Sequence, residues 1–163
     1  EHTDTELALA TAAALNPARV VLVAGGGDRL DHTFAAIGAL GHPSLTSVPD
    51  VEGWWGPQHF VVVHGPGRTR LDVPCGATIS LIALHGTCHG VTVDGVRWPL
   101  LDADLDPVAG LGISNETTDR FVEISLTSGV LTIFTNGHIT TDDVTDDDIT
   151  NDITNDQSPP EDT

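Results

Sequence analysis

The sequence predicts an α/β remnant (the helix–strand–helix of a parallel sheet), followed by an antiparallel β-sandwich and a disordered acidic tail. Three observations carry this. Residues 20–23, Val-Val-Leu-Val, sit between two helix-forming stretches, the order of a parallel α/β unit. After about residue 44 the texture changes to short apolar or alternating runs broken by turn residues, with no helix between them, which is the pattern of a small sandwich. Residues 143–156 form a slipping Asp/Thr/Asn/Ile repeat, too poor in apolar side chains to offset the entropy of ordering. The segments are 1–44, 45–138 and 139–163, with the first boundary falling between residues 42 and 58.

The elements follow in order. Thr3 or Asp4 is placed to cap a first helix, with Glu6 in its first turn and the Ala/Leu-rich body running from Leu7 to Leu15. Asn16-Pro17 stops it. The strand at 20–23 comes next, and its partner strands are expected in sequence upstream of Glu1. Gly25, Gly26 and Gly27 allow a sharp turn and close approach of a ligand to the backbone. A second helix begins after Asp31 and ends near Gly41-His42-Pro43. In the second segment, strands are expected at 60–64, 71–73, 77–84, 121–126 and 130–134. Residues 91–98 read as a hairpin turning at Asp94-Gly95. Five or six antiparallel strands result.

Composition narrows the function. The net charge is −18, and the chain has no methionine and no lysine, so all six basic groups are arginines. Nine of the acids lie from Thr141 onward, leaving 15 against the six arginines, or −9, in the body. Such a body repels nucleic acid backbones and anionic membranes. An anionic nucleotide needs Mg²⁺ and locally placed arginines to bind. The missing initiator methionine reads as a chain lacking its natural N-terminus. Cys75 and Cys88 give no disulfide framework and are expected as small core residues. No apolar run reaches membrane-spanning length and no signal peptide is visible, so a cytoplasmic location is expected. The tail is rich in oxygen ligands but lacks the glycine and glutamate spacing of a calcium loop.

Charges are concentrated where chemistry usually sits in an open α/β sheet, beyond the carboxyl end of a strand: Asp28, Arg29, Asp31 and His32. A glycine-rich turn offers N–H groups to phosphate, arginine suits phosphate, and a carboxylate suits Mg²⁺. The plainer alternative is a strand-to-helix turn whose acids cap the helix. Three segments could share one site: residues 2–6 with Asp4, residues 25–32, and from the β segment Trp98 with the loop 112–116. Singly, Asp4 reads equally as a cap, Trp98 as packing, and Ser114-Asn115 as a turn.

Together these segments resemble the thiamine pyrophosphokinase family. His2-Thr3-Asp4-Thr5-Glu6-Leu7-Ala8-Leu9 is similar to its D-x-T-D-x-E-x-A-L segment, and residues 25–32 to its G-G-x-G-G-R-x-D-H element. Gly95-Val96-Arg97-Trp98-Pro99-Leu100 resembles the G-L-x-W-x-L hairpin, and Gly112-Ile113-Ser114-Asn115-Glu116 the G-x-S-N-E loop. Order and spacing agree across roughly residues 1 to 135. Ala24 and Asp28 depart from the family glycines, and the family's upstream G-D-x-D-S motif is absent.

The resemblance implies transfer of pyrophosphate from ATP to the hydroxyl of thiamine, giving thiamine diphosphate and AMP. It implies Asp4, Arg29 and Asp31 as catalytic residues, with Asp4 and Asp31 holding Mg²⁺ or orienting the attacking hydroxyl. Gly25, Gly26, Gly27, Arg29 and His32 are implied for nucleotide, and Trp98, Ser114 and Asn115 for thiamine, with Trp98 stacking on the cationic ring. A homodimer is implied in which Trp98 serves the neighbouring chain. The chain alone is expected to be inactive, since the upstream carboxylates are missing. Two alternatives stand beside this: a non-catalytic β-sandwich binding module with a vestigial α/β stub, and an unrelated nucleotide-dependent enzyme using the same glycine turn.

Overall fold

The first helix, α1 (Asp4–Ala13), is set by a reciprocal capping box. The Thr3 hydroxyl accepts from the Glu6 N–H at 3.2 Å, and the Glu6 carboxylate accepts from the Thr3 N–H at 2.7 Å. That backbone N–H also holds the Glu6 carboxyl below its ordinary pKa. Strand β1 (Arg19–Ala24) and helix α2 (Leu30–Ala39) complete the expected helix–strand–helix order. The computed structural model describes residues 2–24 and 29–136. The glycines Gly25, Gly26 and Gly27, with Asp28, and the whole acidic tail lie outside the described residues.

A short 3₁₀ turn (Pro43–Leu45) leads into β2 (Asp50–Trp55), β3 (Gln58–His64), β4 (Gly67–Asp72), β5 (Thr78–Ile82) and β6 (Cys88–Asp94). Then follow β7 (Leu100–Leu105), the two-residue β8 (Asn115–Glu116), β9 (Phe121–Leu126) and β10 (Val130–Asn136). They form a six-stranded sheet ordered β1-β2-β3-β10-β5-β8 and a four-stranded sheet ordered β4-β9-β6-β7. Among the described residues the only parallel strand pair is β1 with β2, from Arg19↔Asp50 to Ala24↔Trp55. This corrects the expectation that every partner of β1 lies upstream: one is β2, inside the chain, while the other edge of β1 is unpaired among the described residues.

The large sheet is continuous from β1 to β8 and separates two cores. Period-two alternation along β3 sends Phe60 and Val62 to the helix side and Val61 and Val63 to the sandwich side. On the helix side, Leu9 and Ala13 of α1 and Ala39 and Leu40 at the end of α2 pack on Val20, Val51 and Phe60. On the sandwich side, Ile79, Leu81, Leu131 and Ile133 meet Val91, Val93, Val122 and Ile124 of the small sheet. The molecule is thus helices on a sheet on a sheet.

Three further expectations change. The 91–98 segment is not a tight Asp-Gly hairpin: β6 ends at Asp94, β7 begins at Leu100, and residues 95–99 form the connection. Strands β2, β7 and β8 were not foreseen, and they raise the count above five or six. Cys88 is buried, with its thiol pKa pushed up by burial, whereas Cys75 is exposed and donates to the Thr118 carbonyl at 3.2 Å. Among the described residues no helix is long and apolar enough to cross a membrane.

Candidate functional site

The predicted residues fall into two groups. The first lies on the N-terminal turns of α1 and α2. A cavity of about 400 Å³ is lined there by His2, Thr3, Asp4, Thr5, His32, Ala35 and Ala36, so packing of α1 on α2 brings Asp4 and His32 to one space. Arg29 occupies the cap position of α2 without a side-chain cap bond. Its guanidinium instead pairs with Asp31 in a two-pronged contact, Nε–Oδ1 2.9 Å and Nη2–Oδ2 2.5 Å. Arg29 drives the Asp31 carboxyl below its usual range, and Asp31 raises the guanidinium in turn. Both are exposed, so the pair is available to exchange for a ligand.

The second group lies at the opposite edge of the large sheet. Gly95 adopts φ +80, where a Cβ would fall 2.4 Å from the Phe121 carbonyl oxygen, so only glycine fits. From this turn the chain runs beside β8. The Arg97 N–H donates to the Glu116 carbonyl at 2.8 Å and the Thr118 N–H to the Gly95 carbonyl at 2.9 Å. Trp98 is thereby laid against Asn115. The buried Asn115 amide clamps the Trp98 backbone: its Oδ1 accepts from the Trp98 N–H at 3.1 Å and its Nδ2 donates to the Trp98 carbonyl at 2.7 Å. The Trp98 side chain stays 56% exposed, as an anchored indole presented to solvent.

The loop behind it is equally constrained. Gly112 stands at φ +97, where a Cβ would be 3.0 Å from the Leu81 carbonyl oxygen. Ser114 takes a left-handed φ of 58 and its N–H donates to Ser80 Oγ at 3.0 Å. A non-glycine residue held in that region commonly marks a functional site. A cavity of about 370 Å³ opens between Trp98, Leu100, Leu111, Ile113 and Asn115. It is a mostly apolar slot with one exposed indole and adjacent polar groups, which suits a flat heteroaromatic ligand.

Residues missed from sequence also shape this group. Arg97 pairs with Glu116 at 3.2 Å and stands 5.0 Å from the Trp98 ring centroid. Ser80 supports Ser114 from a neighbouring strand. Their alternation with core residues was visible, but a contact across 17 or more positions depends on the sheet order.

The two groups do not meet within one chain. Arg29 and Asp31 follow β1 at one edge of the large sheet, and Asn115 is on β8 at the other. Five inter-strand steps of about 4.8 Å separate these edges by about 24 Å. Among the described residues no cluster of three or more His, Cys, Asp or Glu side chains is placed to hold a metal. Mg²⁺ commonly takes one or two carboxylates, with phosphate oxygens and water completing its shell. Asp4 and Asp31 suit that role chemically, once Asp31 releases Arg29.

Residues 68–131 match the family model described as thiamin pyrophosphokinase, vitamin B1 binding domain. Among solved structures, the chain is similar to thiamine pyrophosphokinase from Bacillus subtilis (23% identity, TM-score 0.68), covering 83% of this chain and 64% of that one. It is similar also to thiamin pyrophosphokinase from Geobacillus thermodenitrificans (23% identity, TM-score 0.68), covering 86% and 64%. A more distant likeness is to thiamin pyrophosphokinase from Candida albicans (12% identity, TM-score 0.61), covering 75% and 46%. At these identities the likeness establishes the fold. The chain spans 64% of the length of the two bacterial structures. No curated protein sequence matches it.

Proposed function

We propose that this chain, whose residues 68–131 match the vitamin B1 binding domain of thiamin pyrophosphokinases, binds thiamine on Trp98 as part of an enzyme making thiamine diphosphate. The reaction is attack of the thiamine hydroxyl on the β-phosphorus of ATP, forming the new O–P bond, breaking the α–β bridge and releasing AMP. The observation that carries this reading is Trp98 itself: an exposed indole held by a buried amide inside the matched segment.

Each side chain has a physical task. Trp98 offers its electron-rich face to a cationic ring. Ser114 presents a hydroxyl beside the slot, and Asn115 serves the substrate by fixing the Trp98 backbone. Arg29 offsets charge on the phosphate oxygens as they pass through an in-line displacement. The glycines Gly25, Gly26 and Gly27 supply N–H groups to the nucleotide, with His32 supporting the turn. Asp4 and Asp31 hold Mg²⁺ or orient the attacking hydroxyl; Mg²⁺, when bound, neutralises phosphate charge.

The edge-to-edge separation of the two groups supports a homodimer in which Trp98 and Ser114 of one copy face Arg29 and Asp31 of the other. The proposed location is the cytoplasm, where ATP is available. The alternative reading is a binding module without catalysis, supported by the match of residues 68–131 to a vitamin B1 binding domain.

Trp98→Ala separates stacking from packing. Loss of a desolvated cation–π contact costs about 2 kcal/mol, or about thirtyfold in thiamine affinity. The melting temperature should hardly move, since the ring is mostly exposed. Calorimetric titration of thiamine into the wild-type chain and the variant checks this. A variant that binds thiamine as wild type does overturns the stacking role. With Mg-ATP and thiamine, the 163-residue chain alone is expected to give no turnover.

A further inference from the structure

The Trp98 indole has two faces, and one already has a cation near it. The Arg97 guanidinium stands 5.0 Å from the ring centroid, within the range of a cation–π contact. Arg97 is in turn paired with the Glu116 carboxylate at 3.2 Å, and its N–H donates to the Glu116 carbonyl at 2.8 Å. Both side chains are roughly half exposed. Two opposite charges therefore sit beside the ring and sum to zero, while the apolar slot lined by Leu100, Leu111 and Ile113 carries no charge of its own.

We propose that Arg97 and Glu116 form a charge-balancing pair that sets how strongly the Trp98 site prefers a cationic ring over a neutral one. This rests on the reading that Trp98 stacks a heteroaromatic cation. A bare Arg97 would repel such a cation through the indole. A bare Glu116 would attract it, and would attract unrelated cationic rings and amines as well. Paired, they leave discrimination to the indole face and to the shape of the slot. The pair is a specificity device rather than a support, because Trp98 is already fixed by Asn115 through its backbone.

The signs of the effects are fixed by Coulomb's law. Both side chains are about half exposed, and at the dielectric of bulk water two unit charges about 8 Å apart interact by an amount worth about two- to threefold in affinity. Arg97→Gln leaves Glu116 uncompensated, so a cationic ring should bind about threefold more tightly. Glu116→Gln leaves Arg97 uncompensated, so the same ring should bind about threefold more weakly. The double variant restores a net charge of zero and should return to near wild-type affinity. A flat neutral ring should be indifferent to all three changes.

The experiment titrates the 163-residue chain and its variants, by calorimetry at low salt, with thiamine as the cationic probe and its uncharged oxidation product thiochrome as the neutral one. The expected result is opposite shifts for the two single variants with thiamine, cancellation in the double variant, and no shift with thiochrome. The thiamine shifts should shrink at 1 M salt, where the screening length falls to about 3 Å. If either single variant weakens both probes alike, the pair merely supports the loop and the proposal is overturned while the thiamine reading stands. If the wild-type chain binds neither probe, the thiamine reading fails and the proposal with it.

Discussion

Asp31 is the residue where two explanations of the same sequence part company. Its position before a helix suggested a cap, but α2 begins two residues earlier, at Leu30, with Arg29 at the cap position, and Asp31 lies inside the first turn. What holds it is the two-pronged pair with Arg29. The pair is exposed, and exposed pairs contribute little to stability. Asp31→Asn is therefore expected to leave the melting temperature nearly unchanged while weakening Mg-ATP binding, measured by titration with and without Mg²⁺. Binding that stays at the wild-type level would remove Asp31 from the nucleotide site. Asn115 gives the opposite case, a buried side chain whose two ends are both engaged. Asn115→Asp keeps the shape but replaces the donor facing the Trp98 carbonyl by a second acceptor. An unsatisfied buried group costs about 1–3 kcal/mol, read from a urea melt, and thiamine affinity should fall with it as the indole loses its anchor. Unchanged stability would mean that the clamp is not what fixes Trp98.

At the scale of elements, legibility followed the length and regularity of the signal. Strand β9 (Phe121–Leu126) was read to the residue because its own six residues alternate between outward and buried positions and Ser128-Gly129 closes it. Helix α1 was read from Thr3 and Glu6, which form the capping box, although its body starts earlier and ends earlier than the Ala/Leu run suggested. Strand β2 was missed because Asp50, Gly53 and the two tryptophans break any alternation. Its strand character comes from the neighbours: β1 on one side, β3 on the other. Strand β7 was missed because its inner residues are few and Leu101 points outward, 85% exposed. The Asp94-Gly95 signal correctly marked a positive-φ glycine but not the turn type, since Gly95 is needed for close approach to Phe121 rather than for a two-residue loop. The Trp98–Asn115 contact had no local signal at all beyond motif resemblance, because it depends on the β6–β7 connection lying along β8.

Across the whole molecule, two histidines tie the helical layer to the sheets at the C-terminal end of α2. His64, at the end of β3, reaches the Leu40 carbonyl at 3.3 Å, and His85, between β5 and β6, reaches the Gly38 carbonyl at 2.7 Å. Burial lowers the pKa of His64 from its ordinary 6.5, and the nearby His85 adds to that, while the Leu40 carbonyl works the other way. The consequence has a definite sign. Above pH 6.5 the ring is neutral in both folded and unfolded chains and contributes no pH dependence. As pH falls below 6.5 the unfolded chain takes up the proton first, so the folded state loses stability until its own lower pKa is reached. The carboxylates of this acidic chain also titrate as pH falls, so the His64 contribution must be isolated by difference. His64→Gln keeps a hydrogen-bonding group and removes the proton uptake. The stability of wild type minus variant, from urea melts, is expected to be flat above about pH 7.5, more than one unit over the unfolded value, and to decline below pH 6.5. A difference that stays constant down to pH 5 would show that His64 protonates equally in both states, and the junction between helices and sheet would then carry no proton linkage at this residue.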